Sequence, residues 1–480
     1  MVYLVSLAIY RLWLSPLARI PGPKLAGLTL WYEFYYDVVQ GGKYTWKIAE
    51  MHEKYGPIIR INPYEIHIND PDYYLEIYTG PSKRRDKWAW SAAMFGNSLS
   101  HFGAISHEEH RRKRSPLNPF FSKKSVVQLE PRIKEVVEKL CARLTGFKKT
   151  KEPVNLRHAF AAVAMDVITE YAFARSFNCL DEPDFAPSWP EAVDSVSEQS
   201  HLNKQFPWLL PLMRLIPLSV VEKVNPHMMR LIKLQIVSDI MSGKNADDRN
   251  WSHDTIFHEL INTPEIPDEE KTLQYLVDEG QSIVAAGQVT TTHYLNTTAY
   301  HIVATPGVAE KLKAELVEAM PDGALPPLQK LEQLPYLSAV VQEGYRLSYG
   351  VTHRLQRISP DEPLFYHDFV IPAGTPVGMT SVLIHENPRY FLDPKQFQPD
   401  RWLNSDSQKL KRYLVNFSKG TRSCLGKELA QAEIYLTLAA LFRRFDFELY
   451  KTARADIDVA HDFFNPQPRR GSKGLRVLIR

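Results

Sequence analysis

Cys424 stands between two glycines in the run Phe417-Ser418-Lys419-Gly420-Thr421-Arg422-Ser423-Cys424-Leu425-Gly426, immediately before an apolar helical stretch. A thiolate so placed suits approach to a large planar metal cofactor. Gly420 and Gly426 let the backbone turn and come close without a Cβ in the way. Arg422 supplies a fixed positive charge for an acidic substituent of such a group. The helix that follows, over about 425–442, aims its free N–H groups and positive dipole end back at Cys424. Both effects lower a thiol pKa and favour the thiolate. A lone loop cysteine is more often an inert structural thiol, so the surrounding residues carry the argument.

A second chemical set lies on one predicted helix. No proline intervenes between Pro267 and Pro306, and the composition predicts a single long helix with Asp268, Glu269 and Glu270 in its first turn. Ile283, Gly287, Thr290 and Tyr294 follow the three- and four-residue spacing of one face. Gly287 leaves room beside the helix and weakens its ladder enough to permit a bulge. The Thr290 hydroxyl can orient water, or it can bond back to a carbonyl of its own helix.

The pattern Phe-x-x-Gly-x-Arg-x-Cys-x-Gly, filled at every fixed position from Phe417 to Gly426, resembles the haem-binding loop of cytochrome P450 monooxygenases. The resemblance implies that Cys424 is the axial thiolate of heme b (iron protoporphyrin IX), a ligand that favours O–O cleavage. It makes Phe417, Gly420 and Arg422 cofactor-binding residues. Ala286-Gly287-Gln288-Val289-Thr290-Thr291 resembles the family's oxygen groove, Ala/Gly-Gly-x-Asp/Glu-Thr-Thr/Ser. Gly287 and Thr290 are then catalytic: one leaves room for dioxygen, the other helps deliver protons. Val289 departs from the pattern, because it cannot join a proton relay. Protons then travel by another water chain, or the step is slow, or substrate supplies the carboxylate.

Further resemblances follow in the family's order. A helix from Pro335 to about Leu347 carries Glu343 and Arg346, three apart on one face. With Arg401 of Phe397-Gln398-Pro399-Asp400-Arg401-Trp402, they match a buried network that holds the cysteine loop. The segment His107 to Arg114 resembles the propionate-binding helix, usually Trp-x-x-x-Arg. Arg114 matches the arginine and His110 replaces the tryptophan, still able to donate one hydrogen bond. Arg357 matches a further propionate ligand. Arg111, Arg112 and Lys113 read as a solvated basic face. With Lys419 and Lys427 they would attract an acidic flavoprotein donor, the NADPH-cytochrome P450 reductase that the resemblance implies.

Such a site needs a large scaffold. The chain has 480 residues, 44% of them hydrophobic, and its 34 prolines are spread without a linker, repeat or low-complexity tract. The expected fold is mainly α with a small β region, the single-domain cytochrome P450 fold, over residues 21–480. A net charge of +3 excludes nucleic-acid binding as the main function, and three cysteines argue against a disulfide-stapled secreted fold. Residues 1–20 read as an N-terminal membrane anchor, incomplete as given, since about twenty apolar residues span a bilayer and Arg11 interrupts these. Ile20-Pro21-Gly22-Pro23 resembles the hinge after a microsomal anchor. Arg11, Arg19 and Lys24 place the catalytic body in the cytosol, at the endoplasmic reticulum membrane.

By resemblance, the distal pocket is walled by residues 88–102, 283–291, 348–353 and 462–466. Trp88, Trp90, Phe95, Phe102, Val284, Val351, Phe463 and Phe464 make it apolar and aromatic, which suits a hydrophobic small molecule such as a terpenoid or polyketide-type skeleton. The apolar stretch Phe206 to Met213 reads either as helix packing or as a membrane-dipping lid. Phrases such as His353-Arg354-Leu355-Gln356-Arg357 resemble fungal secondary-metabolism members of the trichodiene-oxygenase-like group. Two other functions fit a haem-thiolate site. One is an isomerase or dehydratase that needs no reductase; the other is a non-catalytic haem binder. Retained Gly287 and Thr290 argue against both, while the missing acid at Val289 keeps the first alive.

Overall fold

Residues 273–304 are apolar on more than one side, and in the computed structural model they form one uninterrupted helix, Leu273–Ala304, through the interior. The structure describes residues 1–213, 215 and 255–480. The long helix starts later than expected. Asp268–Glu270 form a separate 3-10 turn, and the Lys271 backbone leaves the helical region before the Thr272 hydroxyl caps the helix by accepting from Tyr275 N at 3.2 Å. The helix carries no bulge at Gly287.

Seven helices position the site: α1 His107–Arg114, α2 Lys123–Thr150, α3 Leu156–Phe173, α4 Ser188–Gln205, α5 Leu273–Ala304, α6 Pro335–Ser348 and α7 Lys427–Arg444. Nearly every residue of α3 is buried, as befits a helix apolar all round. It lies along α5, while α2 packs on α7, and the largest core cluster runs through all four. Proline opens α6 at its first position, where its missing N–H costs nothing. The last helix runs Lys427–Arg444 rather than 425–442, with Gly426 as its N-cap.

The β region is small. Ile58–Arg60 pairs antiparallel with Ile66–Ile68, which runs parallel to Pro376–Gly378, and Arg357–Ile358 closes this sheet antiparallel to Pro376–Gly378. Val154–Asn155, Arg476–Ile479 and Phe447–Leu449 form a three-stranded sheet. His461–Phe463 turns back on Asn465–Gln467 as a hairpin.

At the N-terminus, an α-helix over Val2–Ile9 passes into a wider turn over Tyr10–Leu14. Among the described residues, no helix is long and apolar enough to cross a membrane. Tyr3, Leu4, Trp13 and Leu14 are exposed. Arg11 ties the segment to the body by donating to Leu28 O and to Tyr64 Oη, each at 2.7 Å. Pro21 of the Pro-Gly-Pro element accepts from Arg60 N at 2.7 Å, which lays the hinge beside the first strand.

Candidate active site

The cysteine loop is pinned at three points. Cys424 N donates to Phe417 O at 2.8 Å, and the Phe417 ring meets Tyr345 of α6 edge-on at 5.1 Å. Gly420 has φ +74°, and a Cβ there would lie 2.2 Å from Thr79 O. That carbonyl also accepts from Thr421 N at 3.1 Å, so only glycine lets the loop dock on its neighbour.

Cys424 is the exposed cysteine, whereas Cys141 and Cys179 are buried. Its surroundings nevertheless desolvate it. Burial raises its pKa, while the Gly426 backbone, Arg114 and Lys427 pull it down. These two facts fit a sulfur deep in the protein that fronts an internal void. They also correct one expectation: the helix end and nearby cations do not by themselves win against desolvation. A metal ion deprotonates a coordinating thiol outright.

Around the loop the structure gathers cations that have no carboxylate ion-pair partner among the described residues. Arg422 donates from Nη1 to Ala104 O at 2.8 Å, and from Nη2 to Ile105 O and Ser106 O at 2.7 and 2.9 Å. Its Nε is buried and unpartnered. Arg114 donates to Ser423 O at 2.6 Å. Arg357 is buried and donates to Gln356 O at 2.9 Å. Lys87, absent from the sequence reading, donates to Phe102 O and lies 3.9 Å from the centre of the Phe102 ring.

Burial lowers the pKa of all four, and neighbouring cations of the set add to this at Lys87 and Arg422. Burial, then Arg422 and Arg357, hold Lys87 well below the lysine range; burial, then Arg357, bring Arg422 down to about 9. His110 is buried and kept neutral, first by desolvation and then by Arg422, His101, Arg114 and Lys87. Burying like charges together is unfavourable unless an anion neutralises them. A dianionic porphyrin fits this donor set, and the exposed thiol fits its metal.

The basic face is smaller than expected. Lys113 is buried and paired with Glu109 at 2.6 Å, and Arg112 pairs with Glu270 at 2.7 Å. In that trio only Arg111 is exposed, because the helix turns the other two towards acidic neighbours.

Behind the loop, Glu343 and Arg346 are fully buried in a bidentate pair at 2.7 and 2.9 Å. Glu343 also accepts from Gln398 N at 2.8 Å, Arg401 Nε at 3.2 Å and Trp402 Nε1 at 2.9 Å. Trp402 is thus a fourth member of the expected triad. His385 extends the network to the loop: Val415 N donates to its Nε2 at 3.0 Å, so its Nδ1 carries the proton and donates to Arg346 O at 2.9 Å. Burial lowers the His385 pKa to about 3 and keeps that tautomer neutral. Neither Trp402 nor His385 announces this role by spacing.

On α5, Thr290 Oγ1 donates to Ala286 O at 2.8 Å, the helix back-bond. Ala286 is exposed although its helix is interior, which marks the open face. Gly287 points elsewhere. A Cβ there would sit 2.9 Å from the Ile168 side chain, so this glycine serves close packing of α5 on α3, and Ala286 is the small residue beside Thr290. Of the expected pocket aromatics, Phe95, Phe102 and Phe464 form one cluster, with Phe464 centred 5.0 and 5.8 Å from the other two. Trp88 lies 4.6 Å from Trp90. Phe463 turns away, buried against His461 and His201.

Comparison with known proteins agrees with this geometry. Residues 21–472 match the family model described as Cytochrome P450. A tryptophan 6-hydroxylase of Fusarium equiseti is 46% identical over 482 residues, covering 99% of this chain and 94% of the relative. An N-acetyltryptophan 6-hydroxylase of Emericella nidulans is 45% identical, covering 100% and 95%. A cytochrome P450 monooxygenase of Cochliobolus heterostrophus is 44% identical, covering 99% and 95%.

Proposed function

The chain belongs to the cytochrome P450 family of haem-thiolate monooxygenases, and from that premise we propose how its residues divide the work and on what they act. The observation that carries the reading is the exposed Cys424 thiol together with four cations that have no carboxylate ion-pair partner among the described residues. Cys424 holds the iron of heme b. Arg114, Arg422, Arg357 and Lys87 neutralise the propionates, with neutral His110 donating one hydrogen bond. Bound haem supplies the reduction and cleavage of dioxygen. Phe417 and Gly420 fix the loop's shape, and the Glu343 network fixes its distance from α6. Thr290 orients the water that brings protons.

The reaction is RH + O2 + 2 H+ + 2 electrons giving ROH + H2O, with the electrons drawn from NADPH through NADPH-cytochrome P450 reductase. The cluster of Phe95, Phe102 and Phe464 supports a flat aromatic substrate, and the relatives named for tryptophan and N-acetyltryptophan hydroxylation favour an indole-bearing amino acid derivative. The terpenoid or polyketide-type skeleton is the second reading, since other relatives carry only the name monooxygenase. Incubation with reductase, NADPH and labelled dioxygen should place one labelled atom in an indole product. Product formed without reductase would instead indicate an isomerase or dehydratase.

Residues 1–20 are proposed as the membrane-contacting segment of the chain, at the endoplasmic reticulum, with the catalytic domain over 21–480 facing the cytosol. Supporting this, Tyr3, Leu4 and Trp13 of the segment are exposed, as are Trp31 and Trp208, which flank the Phe206 ring at 6.2 and 6.0 Å.

Arg111 is the exposed cation of α1 on the donor-facing side. Arg111→Glu should lower reductase-supported turnover about three- to tenfold at low salt, with the difference shrinking as salt screens it. Equal rates across ionic strengths would remove Arg111 from the docking surface.

A further inference from the structure

We propose that a polar cavity behind Val289 is the proton entrance of this enzyme, with Glu198, Asp194 and His293 doing by way of water what a carboxylate at position 289 would do directly. The proposal rests on the monooxygenase reading, which fixes the need for two protons per product.

The cavity measures about 160 Å³ and lies against the face of α5 that carries Gln288, Val289 and His293. Its other walls include Arg157 at the start of α3, and Asp194 and Glu198 on α4. Glu198 is exposed while Gln288 is 1% exposed, so the space runs from the surface to the central helix. About 10–15 Å³ on this measure admits one water, so the cavity holds several.

Its inner end is built to bind them. Gln288 Oε1 and His293 Nε2 are buried acceptors with no partner among the described residues. Such groups bind water when space allows. The His293 ring is also bonded to the Ser348 backbone. A backbone carbonyl takes the Nδ1 proton and leaves Nε2 with its lone pair. Nearer the mouth, the Asp194 carboxylate is paired with Arg157, and Gln467 Nε2 donates to Asp194 O at 3.3 Å. Desolvation raises the Asp194 pKa, partly offset by Arg157, so the group holds a proton to higher pH than an exposed carboxylate.

Position 289 is the hinge of the argument. Val289 lines this cavity, while its neighbour Thr290 turns towards the open face shared with Ala286. A proton taken from solvent at Glu198 or Asp194 moves along water to the acceptors at Gln288 and His293. From there water around the Val289 side chain, which cannot itself carry a proton, passes it on to the Thr290 hydroxyl. Both protons leave solvent and end in the released H2O, while the hydrogen of the new hydroxyl comes from the substrate; the reductase supplies both electrons.

The test compares wild type, Glu198→Gln, Asp194→Asn and the double variant Asp194→Asn/Val289→Asp, with reductase and NADPH, in light and heavy water. Product per NADPH oxidised should fall about tenfold in Asp194→Asn, with a larger solvent isotope effect and unchanged substrate-binding spectra. Glu198→Gln, on the surface, should show a smaller loss in the same direction. Val289→Asp should restore the ratio in the double variant. A crystal structure of the wild-type holoenzyme should show ordered water on Gln288 Oε1 and His293 Nε2. Unchanged ratios and isotope effects in both single variants, or a dry cavity, would overturn the proposal. Wild type that consumes NADPH without forming product would instead count against the monooxygenase reading.

Discussion

Cys424→Ala is expected to abolish product formation while leaving the fold in place. The contacts that pin the loop do not run through this side chain: the Phe417–Cys424 backbone bond, the Gly420 approach to Thr79 and the Phe417–Tyr345 contact all involve other atoms. No other thiol can replace it. Cys141 and Cys179 are buried in α2 and beside α3, and burial pushes the Cys141 thiol up to about 11. Haem retained by Arg114, Arg422, Arg357 and Lys87 would lack the electron-rich ligand that favours O–O cleavage. Measurable turnover should disappear, with circular dichroism unchanged; turnover within a factor of a few of wild type would contradict the assignment.

Glu343→Ala is expected to cost about 3–5 kcal/mol of stability and to lower haem content. The reason is the number of groups that one carboxylate satisfies at zero exposure: Arg346, Arg401, Trp402 Nε1 and Gln398 N. Truncation leaves the Arg346 charge with only carbonyls around it. Through Arg346 O and His385 the damage reaches Val415, two residues before Phe417. Glu343→Gln keeps the shape and part of the hydrogen bonding, so its loss should be smaller. Denaturant unfolding measures both; a Glu343→Ala protein as stable as wild type would refute the structural role.

What the sequence made legible was local. The cysteine loop, the proline-opened α6 and the long α5 each announce themselves within a few turns, through spacing, glycines and the absence of proline. Contacts between distant segments were not legible. Arg422 reads as a cation near the cysteine, but its fork is spent on the carbonyls of Ala104, Ile105 and Ser106, more than three hundred residues away in sequence. Lys87 stands in no motif and joins the site because its segment bridges to Ile358, beside Arg357. Lys113 looked solvated because its neighbours are charged; helical phase turns it inward to Glu109. Gly287 shows the same limit, since a glycine on an interior helix says that something is close without saying which side.

The missing acid at position 289 gains meaning from the same long-range contacts. Sequence alone records an absence at Val289, whereas the fold puts α4, with its own carboxylates, across a cavity from that residue. On the proposed route, the α4 carboxylates Asp194 and Glu198 take the part of the acid missing at Val289.

The central claim is that the Cys424 thiolate holds a haem whose propionates meet Arg114, Arg422, Arg357 and Lys87. The carbon-monoxide difference spectrum of the reduced protein, recorded for wild type and Cys424→Ala at matched haem content, tests it most directly. The account predicts a thiolate-type spectrum in wild type that is lost in the variant. A thiolate-type spectrum persisting in Cys424→Ala, or an imidazole-type spectrum in correctly folded wild type, would contradict it.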